Sequence, residues 1–229
     1  MKTLGIIGGL GPETTSEFYL DIVFSSYKKT KKARPGIIIA SVPLPYKIEE
    51  DLIMSNKGAE RYIPFLVNEA KRLEKAGADF IVMPCNSLHV FIDEIRNAVD
   101  IPVLSIIEET VKFLKKNNFN KVGIVSTSAT IQNKLYENAF EEAGIAYETP
   151  DDFQQAKMDK FILNLVTGQQ KNSDREELIK IINDFEKKDV DCVALACTDL
   201  QLLIPKHQTL KIFDTMKIFA DSTVEYLLK

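Results

Sequence analysis

The sequence predicts an α/β fold of two similar Rossmann-like parallel-sheet domains, related by a pseudo-twofold axis and sharing a cleft. Three observations predict it. Short apolar runs alternate with longer amphipathic segments, the pattern of a parallel sheet with helices on its faces. The chain repeats itself in outline, and each half carries a cysteine at the end of an apolar run.

Taken in order, the apolar run at 3–7 reads as a strand, followed by a helix over 12–30 that starts at Pro12, where a missing N–H does no harm. A buried strand follows at 36–42. A helix over 58–76 stops at Gly77, and a strand over 79–84 leads into a helix over 87–98. A short strand at 101–104 and a helix at 105–117 follow. The second half predicts strands at 121–126, 145–148, 190–196 and 211–213 and helices at 129–143, 153–166, 174–188 and 215–228. In those helices apolar residues recur at spacings of three and four, and Gly144 and Gly168 mark two of the stops.

The repeat is specific at one place. Ala78-Asp79-Phe80-Ile81-Val82-Met83-Pro84-Cys85-Asn86-Ser87 lies on Val190-Asp191-Cys192-Val193-Ala194-Leu195-Ala196-Cys197-Thr198-Asp199 without a gap, placing Cys85 on Cys197. Leu4-Gly5-Ile6-Ile7 likewise matches Val122-Gly123-Ile124-Val125, and Thr110-Val111 matches Thr223-Val224. No long linker separates the halves, so crossings near 100–106 and 210–215 divide the chain into 1–102 plus 213–229 and 103–212. Ligands of open parallel sheets bind beyond the carboxyl ends of the strands. Both cysteines stand at that end, and two facing halves would project them into one interdomain cleft.

Composition excludes several classes. A net charge of −4 with interspersed signs leaves no footprint for nucleic acid or an anionic membrane. The apolar runs are too short to span a bilayer, and Met1 to Gly9 lacks the extended apolar region of a signal peptide. The expectation is a cytoplasmic protein. There, three cysteines call for packing, metal binding or catalysis in place of a disulfide framework.

Two opposed thiols suit one chemistry well. Removing a proton from one face of a carbon and returning one to the other needs two groups of similar basicity, one protonated and one not. A thiol of pKa about 8.5 is drawn toward neutrality by a helix N-terminus. Cys85 precedes Asn86-Ser87 and a predicted helix, and Cys197 precedes Thr198-Asp199 and a short helical pattern. Asn86, Ser87, Thr127, Thr198 and the turn Gly8-Gly9-Leu10-Gly11-Pro12 are candidates to grip a substrate carboxylate, because each follows a strand.

Through Gly8-Gly9-Leu10-Gly11-Pro12-Glu13-Thr14-Thr15, Met83-Pro84-Cys85-Asn86-Ser87-Leu88-His89 and Ala196-Cys197-Thr198-Asp199-Leu200, the chain resembles the aspartate/glutamate racemase family, in particular its aspartate racemase branch. The resemblance runs from Gly5 to about Phe219. It implies an isomerase with two similar α/β domains, catalytic Cys85 and Cys197, an amino-acid substrate such as aspartate or glutamate, no pyridoxal phosphate, no metal, and a homodimer. Four departures stand out. Asn86-Ser87 replaces the family's Asn-Thr, and Asp199 replaces a glutamate. The loop Pro43 to Asp51 lacks a carboxylate-gripping arginine, for which Lys47 is the candidate substitute, and Val166 stands near Gly168 in place of a lysine.

Other roles compete with these. A lone cysteine is more often core than catalyst, and Cys192, inside a strand, reads as inert. His89, four residues after Cys85, suggests a metal, but only His207 and Cys197 remain as soft ligands. It reads better as a substrate-binding residue that orients or hydrogen-bonds the site near Cys85, or as a helix cap. The Gly9 turn partly resembles a dinucleotide fingerprint, yet Thr14 replaces its third glycine and Ala40-Ser41-Val42 offers no acidic residue for a ribose. Glu13, Thr14 and Thr15 either cap the first helix or, in the case of Thr15, reach the cleft. Hydantoin racemase, maleate isomerase, a decarboxylase of the same superfold, and a catalytically silent small-acid binding protein remain as alternatives.

Overall fold

In the computed structural model, residues 1–48, 51, 58–166, 168–169, 171–203 and 207–229 are described. They form an α/β protein of two compact units, Met1–Glu109 with Phe219–Lys229, and Thr110–Ile218.

The first unit is built on β1 (Thr3–Gly8), β2 (Gly36–Ser41) and β3 (Phe80–Val82), all parallel in the order β2-β1-β3. Helix α1 (Pro12–Thr30) begins at Pro12 and ends at Lys31, which takes a left-handed φ of 54°. Helix α2 (Ile63–Lys75) follows a 3-10 turn at Ala59–Tyr62. It buries Leu66, Ala70 and Leu73, spaced by four and three, against Ile7 and Ile81 of the sheet. Each of the two leucines removed from water contributes roughly 1.5–3 kcal/mol. A short α3 (Ile92–Arg96) and α4 (Ile106–Lys116) complete this part of the chain.

The second unit contains β4 (Lys121–Ser126), β5 (Ala146–Glu148), β6 (Cys192–Ala196) and β7 (Lys211–Asp214), parallel in the order β5-β4-β6-β7. Its helices are α5 (Ser128–Gln132), α6 (Leu135–Ala143), α7 (Asp152–Val166) and α8 (Asn172–Glu186). From α8, Leu178, Ile181, Ile182 and Phe185 pack on Val193 and Leu195. Helix α9 (Thr215–Leu227) starts in this unit, and its later turns return to the first, where Phe219 meets Phe18 and Tyr226 meets Phe80.

The internal repeat survives in the pairing register. Leu4 pairs with Phe80 as Val122 pairs with Cys192, and Gly5 with Ile81 as Gly123 with Val193. A reciprocal bond closes each sheet at the same point. Asp79 N–H donates to the Thr3 carbonyl and Thr3 N–H to Asp79 Oδ2, while Asp191 and Lys121 repeat both bonds. Even the fourth position matches, because Val103 bridges Ile81 where β7 pairs with β6.

Three expectations are corrected. Residues 101–104 make one bridge and no strand, since Pro102 has no N–H to give a ladder and supplies only its carbonyl to Ile81 N–H. The helix expected over 129–143 is two. Asn133 bonds back to the Ala129 carbonyl and Lys134 turns left-handed at φ 50°, so α6 starts afresh at Leu135. The helix expected over 87–98 is a 3-10 turn, Ser87–Phe91, followed by the five residues of α3.

Candidate active site

At the carboxyl end of β3, Met83 and Pro84 lead to Cys85, whose N–H donates to the Met83 carbonyl at 2.9 Å. The Cys85 carbonyl accepts the His89 ring Nδ1–H at 2.7 Å. That acceptor is the one the His89 backbone N–H would use in an α-helix, so this N–H bonds the Asn86 carbonyl instead and the segment tightens to 3-10. The other ring nitrogen, Nε2, accepts the N–H of Ile106 at the start of α4. A carbonyl only accepts and an amide N–H only donates, so His89 is a neutral Nδ1–H tautomer. Burial is the main reason its pKa falls to about 4.

His89 is therefore a buried tie between the Cys85 loop and α4. It joins both roles expected for it, orienting the cysteine segment and capping a helix. With both nitrogens engaged it offers no ligand to a metal. Among the described residues no group of three or more His, Cys, Asp or Glu could hold one.

Cys197 occupies the same register position in the other sheet, directly after β6. Its side chain is buried, and Sγ donates to Asp199 Oδ2 at 3.8 Å, a contact that a protonated thiol can make. Thr198 beside it is buried and opens the 3-10 turn Thr198–Leu203. Cys192, inside β6, is fully buried, and desolvation pushes its thiol up to about 12. Its burial within the strand is that of a packing residue.

The glycine turn after β1 is shaped by close approach. A Cβ on Gly8 would lie 2.5 Å from Thr15 Cγ2. One on Gly9, at φ 83°, would lie 2.6 Å from Ser41 Oγ and 3.1 Å from the Val42 nitrogen. Thr15 Oγ1 accepts the Gly9 N–H and donates to the Gly11 carbonyl, both at 2.9 Å. Thr15 thus closes the turn with its hydroxyl and, with Gly9, Pro12, Tyr19, Ile39 and Ser41, lines a cavity of about 400 Å³. Cys85, Asn86 and Ser87 stand apart from that cavity's described lining, on the next loop.

Thr127 caps α5, its hydroxyl accepting the Thr130 N–H at 3.3 Å. The sequence reading missed its neighbours. Asp159 receives the Ser128 N–H at 3.0 Å, the Ser128 hydroxyl and Gln155 Nε2, and Gln155 Nε2 also donates to the Ser126 carbonyl at the end of β4. The available signal was the spacing of four between Gln155 and Asp159 on one face of α7.

Lys47 pairs with Asp51 at 2.9 Å, and Arg61, also missed, takes the other oxygen of Asp51 at 3.1 Å. This lowers the Asp51 pKa, chiefly through the Lys47 bond. Glu49 and Glu50 of that loop lie outside the described residues, as does the side chain of Val166.

Residues 7–223 match the family described as Asp/Glu/Hydantoin racemase. The broad specificity amino-acid racemase RacX of Bacillus subtilis (strain 168) is 29% identical, the match covering 98% of each chain. An aspartate racemase homologue from Pyrococcus horikoshii OT3 superimposes with a TM-score of 0.83 at 29% identity, covering 100% of both chains. The aspartate racemase of Picrophilus torridus does so at 0.81 and 25% identity, covering 100% of this chain and 95% of the other. No helix among the described residues is long and apolar enough to cross a membrane.

Proposed function

The chain belongs to the Asp/Glu/hydantoin racemase family, and from that premise we propose that it is an amino-acid racemase that works with Cys85 and Cys197 as its two acid/base groups. The observation that carries this reading is their equal register. In two sheets whose first three strands share one order, each cysteine lies three residues past an equivalent pair, Ile6 with Val82 and Ile124 with Ala194.

In the reaction, one cysteine as thiolate removes the α-proton from one face of the substrate. The other, as thiol, gives its proton to the opposite face of the carbanion, and the pair is left ready for the reverse reaction. Asp199 accepts the S–H of Cys197 and so holds that thiol in place. The starts of the short turns at Asn86, Ser87 and Thr198 present N–H groups to the α-carboxylate and the developing charge. His89 positions the Cys85 segment without touching substrate. The chemistry is complete with these residues and calls on no pyridoxal phosphate or metal. We place the enzyme in the cytoplasm, a reading consistent with its three free cysteines, and take from the family resemblance that it is a homodimer.

Aspartate, or a closely similar amino acid such as glutamate, is the substrate this reading favours, in line with the aspartate racemase among its structural neighbours. One observation favours a second reading. Asp51 already engages both Lys47 and Arg61 in ion pairs, so a side-chain carboxylate must compete with it for them, whereas a neutral amino acid need not. A chiral assay without added pyridoxal phosphate on L-aspartate, L-glutamate, L-alanine and L-leucine, beside a hydantoin and maleate, decides between them. Turnover of the acidic pair supports the first reading, and turnover confined to the others supports the second. Action on the hydantoin or maleate alone would end both.

A further inference from the structure

The turn after β4 is held differently from the turn that matches it in the repeat. After β1, the Thr15 hydroxyl closes the Gly9 turn from within the same segment. After β4 the ties come from α7, much further along the chain. Asp159 accepts the Ser128 N–H at 3.0 Å on one oxygen and the Ser128 hydroxyl on the other. Gln155, one turn earlier, gives Nε2 to the Ser126 carbonyl at 3.1 Å and to Asp159 Oδ1 at 3.0 Å. Thr127 therefore stands between two residues that are both fixed to one helix. The arrangement leaves Gln155 Oε1 buried without a hydrogen-bond partner among the described residues, and turning the amide over would set that oxygen against two acceptors. A buried acceptor left unmade costs stability, and such exceptions gather at functional sites. The same helix reaches the second cysteine. Met158, Phe161, Ile162 and Leu165 lie in the core cluster that holds Val125, Leu195 and Cys197, and α7 packs on the turn Thr198–Leu203.

We propose that Gln155 and Asp159 are positioning residues for racemisation, holding the Thr127 turn in register with Cys197 so that substrate carboxylate and thiol keep a fixed spacing. The inference rests on the racemase reading and deepens it. In an amino acid the α-carboxylate and the reacting carbon are one bond apart, so the group that grips the first must not drift from the thiol that serves the second. A single helix joined to both sets that spacing. Apolar packing fixes α7 on the Cys197 side, and directional hydrogen bonds orient the Thr127 side. Because the Ser128 N–H is already given to Asp159, the pair acts through Thr127 and touches no reacting atom.

Steady-state racemisation by the full chain tests it, with whichever of L-aspartate, L-glutamate, L-alanine and L-leucine wild type turns over fastest. Asp159→Ala, folded by circular dichroism, should lower kcat/KM about 10- to 100-fold with a raised KM, the loss expected when a binding group shifts by about 1 Å. In a Thr127→Ala background the same change should cost no more than about twofold further, because its effect runs through that turn. Asp159→Asn should recover kcat/KM to within about fivefold of wild type, since an amide accepts the Ser128 N–H and donates to its hydroxyl. If Asp159→Ala does not fold, Gln155→Leu, which removes the amide and keeps the bulk, takes its place in the cycle. Turnover by Asp159→Ala within about twofold of wild type, equal losses with and without the Thr127 hydroxyl, or no recovery by Asp159→Asn would overturn the proposal and leave the racemase reading intact. A wild type that racemises none of the four would end both.

Discussion

Replacing His89 with glutamine should flatten much of the acid sensitivity of the fold. The buried ring is held neutral with a pKa of about 4, against 6.5 for an ordinary histidine. Burial is the main cause and Arg96 adds to it, while the Cys85 carbonyl and Glu108 oppose. Above about pH 6.5 neither state carries the proton, and between 6.5 and 4 only the unfolded chain takes it up. Stability is therefore whole above 6.5 and drains away as pH falls through 4. Each pH unit in that window removes about 1.4 kcal/mol, so about 2 kcal/mol is lost by pH 5 and about 3 kcal/mol by pH 4. Glutamine can still donate to the Cys85 carbonyl and accept from Ile106 N–H, but it does not titrate. Urea unfolding at pH 7.5 and pH 5.0 is the assay. Wild type should lose about 2 kcal/mol more than His89→Gln between the two. Equal losses in both proteins would refute the account of a neutral, doubly bonded ring.

Two further outcomes follow from the packing. Gly123→Ala should cost about 1–3 kcal/mol, seen as a lower urea midpoint, because its Cβ would stand 2.6 Å from the ring of Phe185, itself locked in the core. Cys192→Ala should cost about 1 kcal/mol for the small void and leave racemisation within about twofold of wild type, since that thiol stays protonated and buried. A large loss of turnover in a folded Cys192→Ala protein would mean that the reactive thiols have been misassigned.

Much of the fold was legible because periodicity and repetition are properties of the sequence itself. The runs at 3–7, 121–126 and 190–196 could only be buried parallel strands, and the gapless match that set Cys85 on Cys197 reappears as equal strand register. What stayed hidden depended on contacts between distant residues. Nothing local announces that the His89 ring will claim the Cys85 carbonyl and convert a predicted helix into a 3-10 turn, or that Asn133 will break another. The site divided in the same way. Cysteines at strand ends and glycines at a tight turn declare themselves by position. Asp159 and Arg61 are polar residues on ordinary helical segments, and only folding brings them to Ser128 and Asp51.

The account stands or falls on whether two sulfur atoms act on opposite faces of one α-carbon. Incubating Cys85→Ser and Cys197→Ser separately in D2O with each enantiomer of the accepted amino acid, and following α-deuterium by NMR, tests it most directly. Neither variant should invert configuration, and each should wash deuterium into only one enantiomer, with opposite preference between the two variants. Inversion at an undiminished rate in either variant, or exchange into both enantiomers by the same single-cysteine protein, would contradict it.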